Sequence, residues 1–269
     1  MKNTILILLF VITGSLVFAQ NSNDRVITQT PRNGHSIARI NGFYCIDNET
    51  KPFTGKLIEL GYDNELKNET NYKNGKLNGD YIEYTKRDSI YIKTKATYLN
   101  DNKVGKYIEY WRPNNKKLEC NYNQKGELNG IWISYKGFRV EEPEVQGKYV
   151  NAKKDSTWTW YYEGSKPKSM KNYKLGLQNG ISCEYYENGQ KKSECNYLND
   201  NKDGKEQWWY ENGELRYSAD YKNGKLNGTE YNYYKNVKIE KEGNYVNGIK
   251  KGKFIWYNND GTIKEETTF

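Results

Sequence analysis

The sequence predicts an all-β chain, an elongated, twisted antiparallel sheet of about nine tandem β-hairpin repeats. A short cassette recurs along the chain, aromatic residues hold a fixed place in every copy, and turn-forming dipeptides follow them at a constant offset. Composition agrees. The 269 residues include 26 Tyr, 24 Gly and only 5 Pro, and 35% are hydrophobic. Such a chain is too polar to bury one thick aliphatic core and too aromatic and glycine-punctuated to be disordered.

The cassette is clearest where Tyr72 to Gly79 and Tyr221 to Gly228 spell the same octet, YKNGKLNG. With the last Gly of each copy as its mark, the marks fall at Gly55, Gly79, Gly105, Gly130, Ser156, Gly180, Gly204, Gly228 and Gly252, 24 to 26 residues apart. Periods of this length signal repeat architectures. The glycines among them are expected to serve structure, at a positive φ or a close backbone approach.

Five residues after each mark stand Leu60, Tyr84, Tyr110, Tyr135, Tyr161, Tyr185, Trp209, Tyr233 and Tyr257. Aromatics at one register suit a pleated surface, where broad side chains pack across strands. Turn signals come next, as in Glu187-Asn188-Gly189 and Asn259-Asp260-Gly261, because Asn-Gly and Asp-Gly tolerate positive φ. A second strand then ends at a Tyr, and a Lys/Asn/Gly loop leads to the next mark.

The two-residue period of strands places the column at five on the same face as Ile82, Ile108, Ile133 and Ile255 at three. A three-residue Glu187-Asn188-Gly189 loop would add the small residues Ala96, Cys120, Cys195 and Ala219 of the returning strands. That face is expected to be buried. The opposite parity then carries an exposed aromatic strip, Trp111, Trp160, Tyr162, Trp208, Tyr210 and Trp256, able to stack on sugar rings or peptide side chains. Trp132, Trp158 and Phe254, two after the mark, break this pattern.

Residues 1–19 have a different character. Lys2 precedes an apolar run from Ile5 to Val11, and Ala19 precedes a polar stretch, the layout of a secretory signal peptide. Cleavage is expected after Ala19. It lowers the net charge from +8 to +7 and places the mature chain in the periplasm or outside the cell. Residues 20–42 read as a flexible lead-in and cap, and 43–269 as the repeat domain.

The unit running from Tyr185-Tyr186-Glu187-Asn188-Gly189 through Tyr197 to Gly204 resembles the bacterial MORN-repeat variant, the type found in YwqK-like antitoxin proteins. The resemblance covers nearly all of the mature chain. It implies rows of antiparallel hairpins, with roles in protein interaction, scaffolding and membrane contact. An antitoxin works in the cytosol, from which the leader would remove this chain.

Catalytic chemistry finds no foothold in the residues. His35 is the sole histidine and sits in the lead-in, and no HExxH, GxSxG or P-loop pattern occurs. No metal site, cofactor or catalytic residue is predicted. The chain has four cysteines, Cys45, Cys120, Cys183 and Cys195. Cys183 and Cys195 flank one turn. A two-residue turn would put them on opposite faces, and a three-residue loop would leave them diagonal neighbours on one face, at ~7–8 Å, long for a disulfide. The lysines gather at turns and edge-facing loops, where they discourage edge-to-edge pairing. The expected partners are a protein or an envelope polysaccharide. An anionic membrane surface is the alternative, and nucleic acid is not expected.

Overall fold

The structure, a computed structural model, describes residues 25–30, 35, 37–47, 49–137 and 141–269. The leader, residues 1–19, lies outside them. The chain forms two compact units, the first ending at Lys103 and the second running from Val104 to Phe269. The regular structure of the described residues is strand apart from one 3-10 turn (Glu163–Ser165) in a loop.

In the first unit β1 (Arg25–Gln29) precedes a small hairpin of β2 (Ile37–Ile40) and β3 (Phe43–Ile46). Next come β4 (Gly55–Leu60), β5 (Leu66–Lys73), β6 (Lys76–Lys86) and β7 (Ile90–Leu99), each antiparallel to the next. β1 departs from the predicted pattern because it pairs with β4 in parallel. The β2–β3 hairpin lies between them in sequence and supplies the long connection that a parallel pair needs. A cluster of Ile27, Ile46, Phe53, Leu57 and Tyr72 forms this unit's aliphatic core. The segment read as a flexible lead-in therefore contributes a paired strand and a core residue.

The second unit is a serial run of hairpins. Its strands are β8 (Asn102–Arg112), β9 (Asn115–Tyr122), β10 (Leu128–Lys136), β11 (Glu142–Val150), β12 (Lys153–Tyr161), β13 (Pro167–Lys174) and β14 (Leu177–Tyr185). They continue with β15 (Lys191–Leu198), β16 (Asn201–Trp209), β17 (Leu215–Lys222), β18 (Lys225–Tyr233), β19 (Ile239–Val246), β20 (Ile249–Tyr257) and β21 (Ile263–Thr268). Each strand is antiparallel to its sequence neighbour.

Two kinds of turn alternate. Lys222 and Lys225 pair across Asn223-Gly224, both at positive φ, the tight two-residue form whose twist matches that of the strands. At the other end Gly189 N–H donates to Tyr186 O and Tyr186 N–H to Gln190 O, which closes the predicted three-residue loop.

One residue beyond that loop the register shifts. Tyr185 faces Lys191, but Glu184 faces Ser193, so Lys192 is an extra residue, a β-bulge. The same shift leaves Lys67, Lys168, Arg216, Glu240 and Lys264 unpaired in their hairpins. An offset of one residue moves every side chain beyond it to the other face. The small column therefore lies opposite the residues two after the mark, as in Cys120 with Trp132, Gly243 with Phe254 and Cys195 with Ser182.

This corrects the expected face. The most buried residues of the unit, Phe254 and Ala219 at 0%, Cys120 at 1% and Trp158 at 2% exposure, belong to the column two after the mark and its small partners. The column of Ile133, Tyr185 and Tyr257 lies on the more open face, where Tyr257 Oη donates to Glu242 and Ile131 and Ile181 are exposed. The aromatics four after the mark, expected on an exposed face, share the face of the buried column.

That face is covered by its own side chains laid flat. Tyr149 stands edge-on to Trp158 at 5.0 Å and Tyr245 to Phe254 at 5.3 Å, while the ammonium groups of Lys154 and Lys250 lie over the same two rings. A Cβ on Gly243 would come within 2.2 Å of the Phe254 ring. The ring lies where a side chain would be.

Gly79, Gly130, Ser156, Gly180, Gly204, Gly228 and Gly252 sit in a second irregularity. Between Cys195–Glu206 and Tyr197–Lys202 the strand bearing Gly204 carries extra residues, and the Asn196 side chain turns in to donate to Asp203 O at 2.7 Å. Asn71 and Asn172 do the same for Asp80 O and Ile181 O. All seven glycine marks from Gly79 to Gly252 have positive φ, and Ser156 adopts φ 60° in place of a glycine. At Gly204 φ is 111°, with Asn196 Cβ 3.4 Å from where a Cβ would stand.

Gly204→Val is therefore expected to destabilise the protein by roughly 1–3 kcal/mol through backbone strain. Ser156→Gly is expected to stabilise it by up to about 1 kcal/mol, since a left-handed conformation is costly for any residue with a Cβ. Urea unfolding of both variants beside the parent checks the opposite signs.

Candidate functional site

The buried column is not uniform. Two residues after successive marks it reads Trp132, Trp158, Ser182, Glu206, Glu230 and Phe254. Where rings give way to Ser182 and Glu206 a groove opens, with a cavity of about 330 Å³. Its floor is Cys195 and Glu206. Lys171 of β13, Glu184 of β14 and Trp208 of β16 rise from the strands around it, and the bulge residues Lys192 and Arg216 turn in from the hairpin ends. A bulge re-aims a side chain out of the regular alternation, which brings these two cations to the groove. A second cavity of about 410 Å³ also includes Glu206, Trp208 and Arg216, with Lys202, Tyr217, Tyr221 and Asn232.

Glu206 organises the floor. It is 5% exposed, and its Oε1 accepts from Lys202 Nζ at 2.6 Å and from Trp208 Nε1 at 3.0 Å. Burial alone would make the Lys202 ammonium easier to deprotonate, but the bond to Glu206 outweighs it and holds Lys202 above its ordinary range. Burial, with the Glu206 charge nearby, pushes the Cys195 thiol up to about 11. One repeat further on, Glu230 is bound by Lys241 Nζ at 2.5 Å.

Two cations in the groove have different company. Lys171 Nζ lies over the Trp160 ring at 5.7 Å and the Arg216 guanidinium over the Tyr210 ring at 5.7 Å. Neither is ion-paired with a carboxylate among the described residues. Burial and the Lys171 charge also draw Lys154 below its ordinary range. The groove therefore begins at a positive end.

The six aromatics of the predicted strip divide into separate roles. Trp208 stands in the groove, 42% exposed. Trp160 and Trp256 pack beside the column, 6.3 Å from Trp158 and Phe254 respectively. Trp111, on β8, lies outside the groove with Lys117 over its ring at 5.1 Å. Tyr162 and Tyr210 tie repeats together. Their hydroxyls donate to Tyr185 O at 2.9 Å and Tyr233 O at 2.8 Å, and Tyr186 and Tyr234 continue the series to Trp209 O and Tyr257 O.

Sequence reasoning missed Lys171, Glu184, Lys192, Glu206 and Arg216. The signal is the change from rings to Ser182, Glu206 and Glu230 at one fixed offset, which lies on the buried face and not on the exposed face that parity alone predicts.

The four cysteines are free thiols. Cys183 faces Glu194 and Cys195 faces Ser182, so the two sulfurs lie on opposite faces, as the two-residue reading of the turn required, although the bulge is what produces this. His35 Nδ1 is bonded to Asp47 Oδ2. Among the described residues no group of three or more His, Cys, Asp or Glu side chains is placed to hold a metal ion.

Glu206→Gln removes the charge that holds Lys202 and is expected to lower stability by about 2 kcal/mol, read from urea unfolding. Unfolding without reductant should expose four reactive thiols to a disulfide reagent. In the folded protein at pH 8, Cys195 should resist alkylation, because it is buried and its thiol is almost wholly protonated there. Site-resolved mass spectrometry reads the difference.

A search of curated proteins returned no match to this chain. A family model does match. Residues 154–175, 178–199, 202–223 and 250–269 fit the MORN repeat variant, and the first three of these segments are consecutive and carry all the charged and aromatic residues that line the groove. Over these four segments the chain is a repeat protein similar to the MORN repeat variant.

Proposed function

We propose that this chain is an exported repeat scaffold that works by binding rather than by catalysis, and that the groove of its second unit is the contact surface for an envelope protein or glycan. The observation that carries this reading is the interruption of the ring column at Ser182 and Glu206. It leaves cavities beside a partly exposed Trp208, in a column whose two ends are closed by rings such as Trp158 and Phe254. A concave site with a few placed polar groups beside an aromatic wall is the usual form of a binding surface. The carboxylate of Glu206 is committed to Lys202 and Trp208, which suits a positioning role. MORN repeats are interaction modules, and the groove lies within the three consecutive segments that match them.

The full mature chain, immobilised and exposed to envelope fractions, should retain material that Trp208→Ala fails to retain and that Trp111→Ala still holds. Equal retention by all three would refute the groove as the contact surface. Export is checked separately. The intact mass of the protein recovered from outside the cytosol should correspond to a chain beginning at Gln20.

A further inference from the structure

Resting on the groove as the contact surface, we infer that its ligand is an oligosaccharide of carboxylated sugars, with one ring against Trp208 and the carboxylates of separate rings met by Arg216 on β17 and by Lys171 four strands away on β13.

Trp208 is held in a way that suits a stacking platform. Its Nε1 is anchored to Glu206 at 3.0 Å, one side packs against Tyr217 at 5.5 Å, and the ring is still 42% exposed. It lines both cavities, so a ligand longer than one ring can pass along it. Aromatic rings in such positions gain from flat, partly apolar faces.

The charged groups around it select the rest of the ligand. Lys171 and Arg216 are donors with aromatic neighbours but no carboxylate partner among the described residues, so they favour an anion. Arg presents a fork matched to a carboxylate. The same cavity also holds Glu184, whose nearest cation, Lys192, is 3.7 Å away, as well as Glu206. Carboxylates accept hydrogen bonds and repel like charge. Sugar hydroxyls donate to the Glu184 carboxylate, whereas the side chains of an acidic peptide bring no donor to it, and Glu206 is already committed to Lys202 and Trp208. A neutral sugar would stack and donate, but would leave Lys171 and Arg216 without an anion. Only a ligand that combines hydroxyl donors, a ring face and a carboxylate satisfies all three sets of groups.

The test titrates the full mature chain, by calorimetry and tryptophan fluorescence, with four probes. They are an oligogalacturonate, its methyl ester, an uncharged malto-oligosaccharide of equal length and a polyglutamate peptide. The oligogalacturonate is expected to bind, and Trp208→Ala to weaken it by roughly tenfold or more, as loss of a central aromatic contact does. Lys171→Gln and Arg216→Gln should each weaken binding and flatten its salt dependence, since screening acts on the charge pair they remove. Trp111→Ala should leave it unchanged. Arg216→Gln is an exposed substitution, so its result stands even if Trp208→Ala folds poorly. If the methyl ester binds as tightly as the acid, or polyglutamate binds as well as the oligogalacturonate, the carboxylated-saccharide assignment is overturned while the groove remains the contact surface. If none of the saccharides binds, the assignment is also overturned, and retention of envelope material by the parent but not by Trp208→Ala shows whether the groove binds something else.

Discussion

One extra residue per hairpin sets the layout of the second unit. Without the bulge at Lys192, Arg216 and their equivalents, each returning strand would present its small residues beside the tyrosines five after the mark. With it, Cys195, Ala219 and Gly243 face Ser182, Glu206, Glu230 and Phe254. Register has this leverage because the side-chain period is two, so an odd offset exchanges the two faces completely. The bulge also gives the sheet its added twist and turns two cations toward the groove. Core, shape of the hairpin and chemistry of the site therefore share a cause.

In a run of hairpins each strand pairs with its sequence neighbours, so each repeat must be fastened to the next. Both ends of the strands provide this. At the tight turns the backbone N–H of Gly176, Gly224 and Gly248 donates to Lys154 O, Lys202 O and Leu226 O of the preceding repeat. At the longer loops the hydroxyls of Tyr162, Tyr186, Tyr210 and Tyr234 reach the carbonyl 23 residues ahead. Each hydrogen bond contributes about 1 kcal/mol, and its repetition makes neighbour coupling the main source of stability, as in other one-dimensional arrays. An aromatic that recurs at a fixed offset is therefore better read as a rung than as a ligand contact, which is why Tyr162 and Tyr210 leave the predicted strip.

Much of this architecture was legible in the residues. The period, the strands, the turns and the positive φ at Gly204 follow from local chemistry that one repeat states and the next restates. The faces were not legible in the same way. Counting parity around Glu187-Asn188-Gly189 found the correct three-residue loop but could not register Lys192 as unpaired, because nothing in the residue type announces a bulge. Trp132, Trp158 and Phe254 held the contrary signal. Three large rings at one offset cannot all stand in water on a sheet this polar, and they mark the buried face. The Asn before many of the closing Tyr residues, as in Asn172 and Asn196, was likewise visible as a pattern, and only the backbone shows that it satisfies a carbonyl at the irregular register of the mark.

The energetics of the column bear on why the groove exists. Burying a Phe side chain stabilises a fold by about 1.5–3 kcal/mol, and Phe254 at 0% exposure receives that in full. Glu206 and Glu230 occupy equivalent positions and are nearly as buried. A buried ion pair returns little net stability, because desolvation offsets most of the attraction. The Lys202–Glu206 and Lys241–Glu230 pairs make these positions tolerable without making them as stabilising as a ring. The repeat scaffold thus accepts weaker packing over a short span while its neighbours on both sides keep their rings. Three adjacent polar residues in one column, with Trp208 anchored among them and two cations turned in by bulges, form an arrangement that packing alone would not favour, and it is on this departure from packing that the proposed recognition of a polar ligand rests.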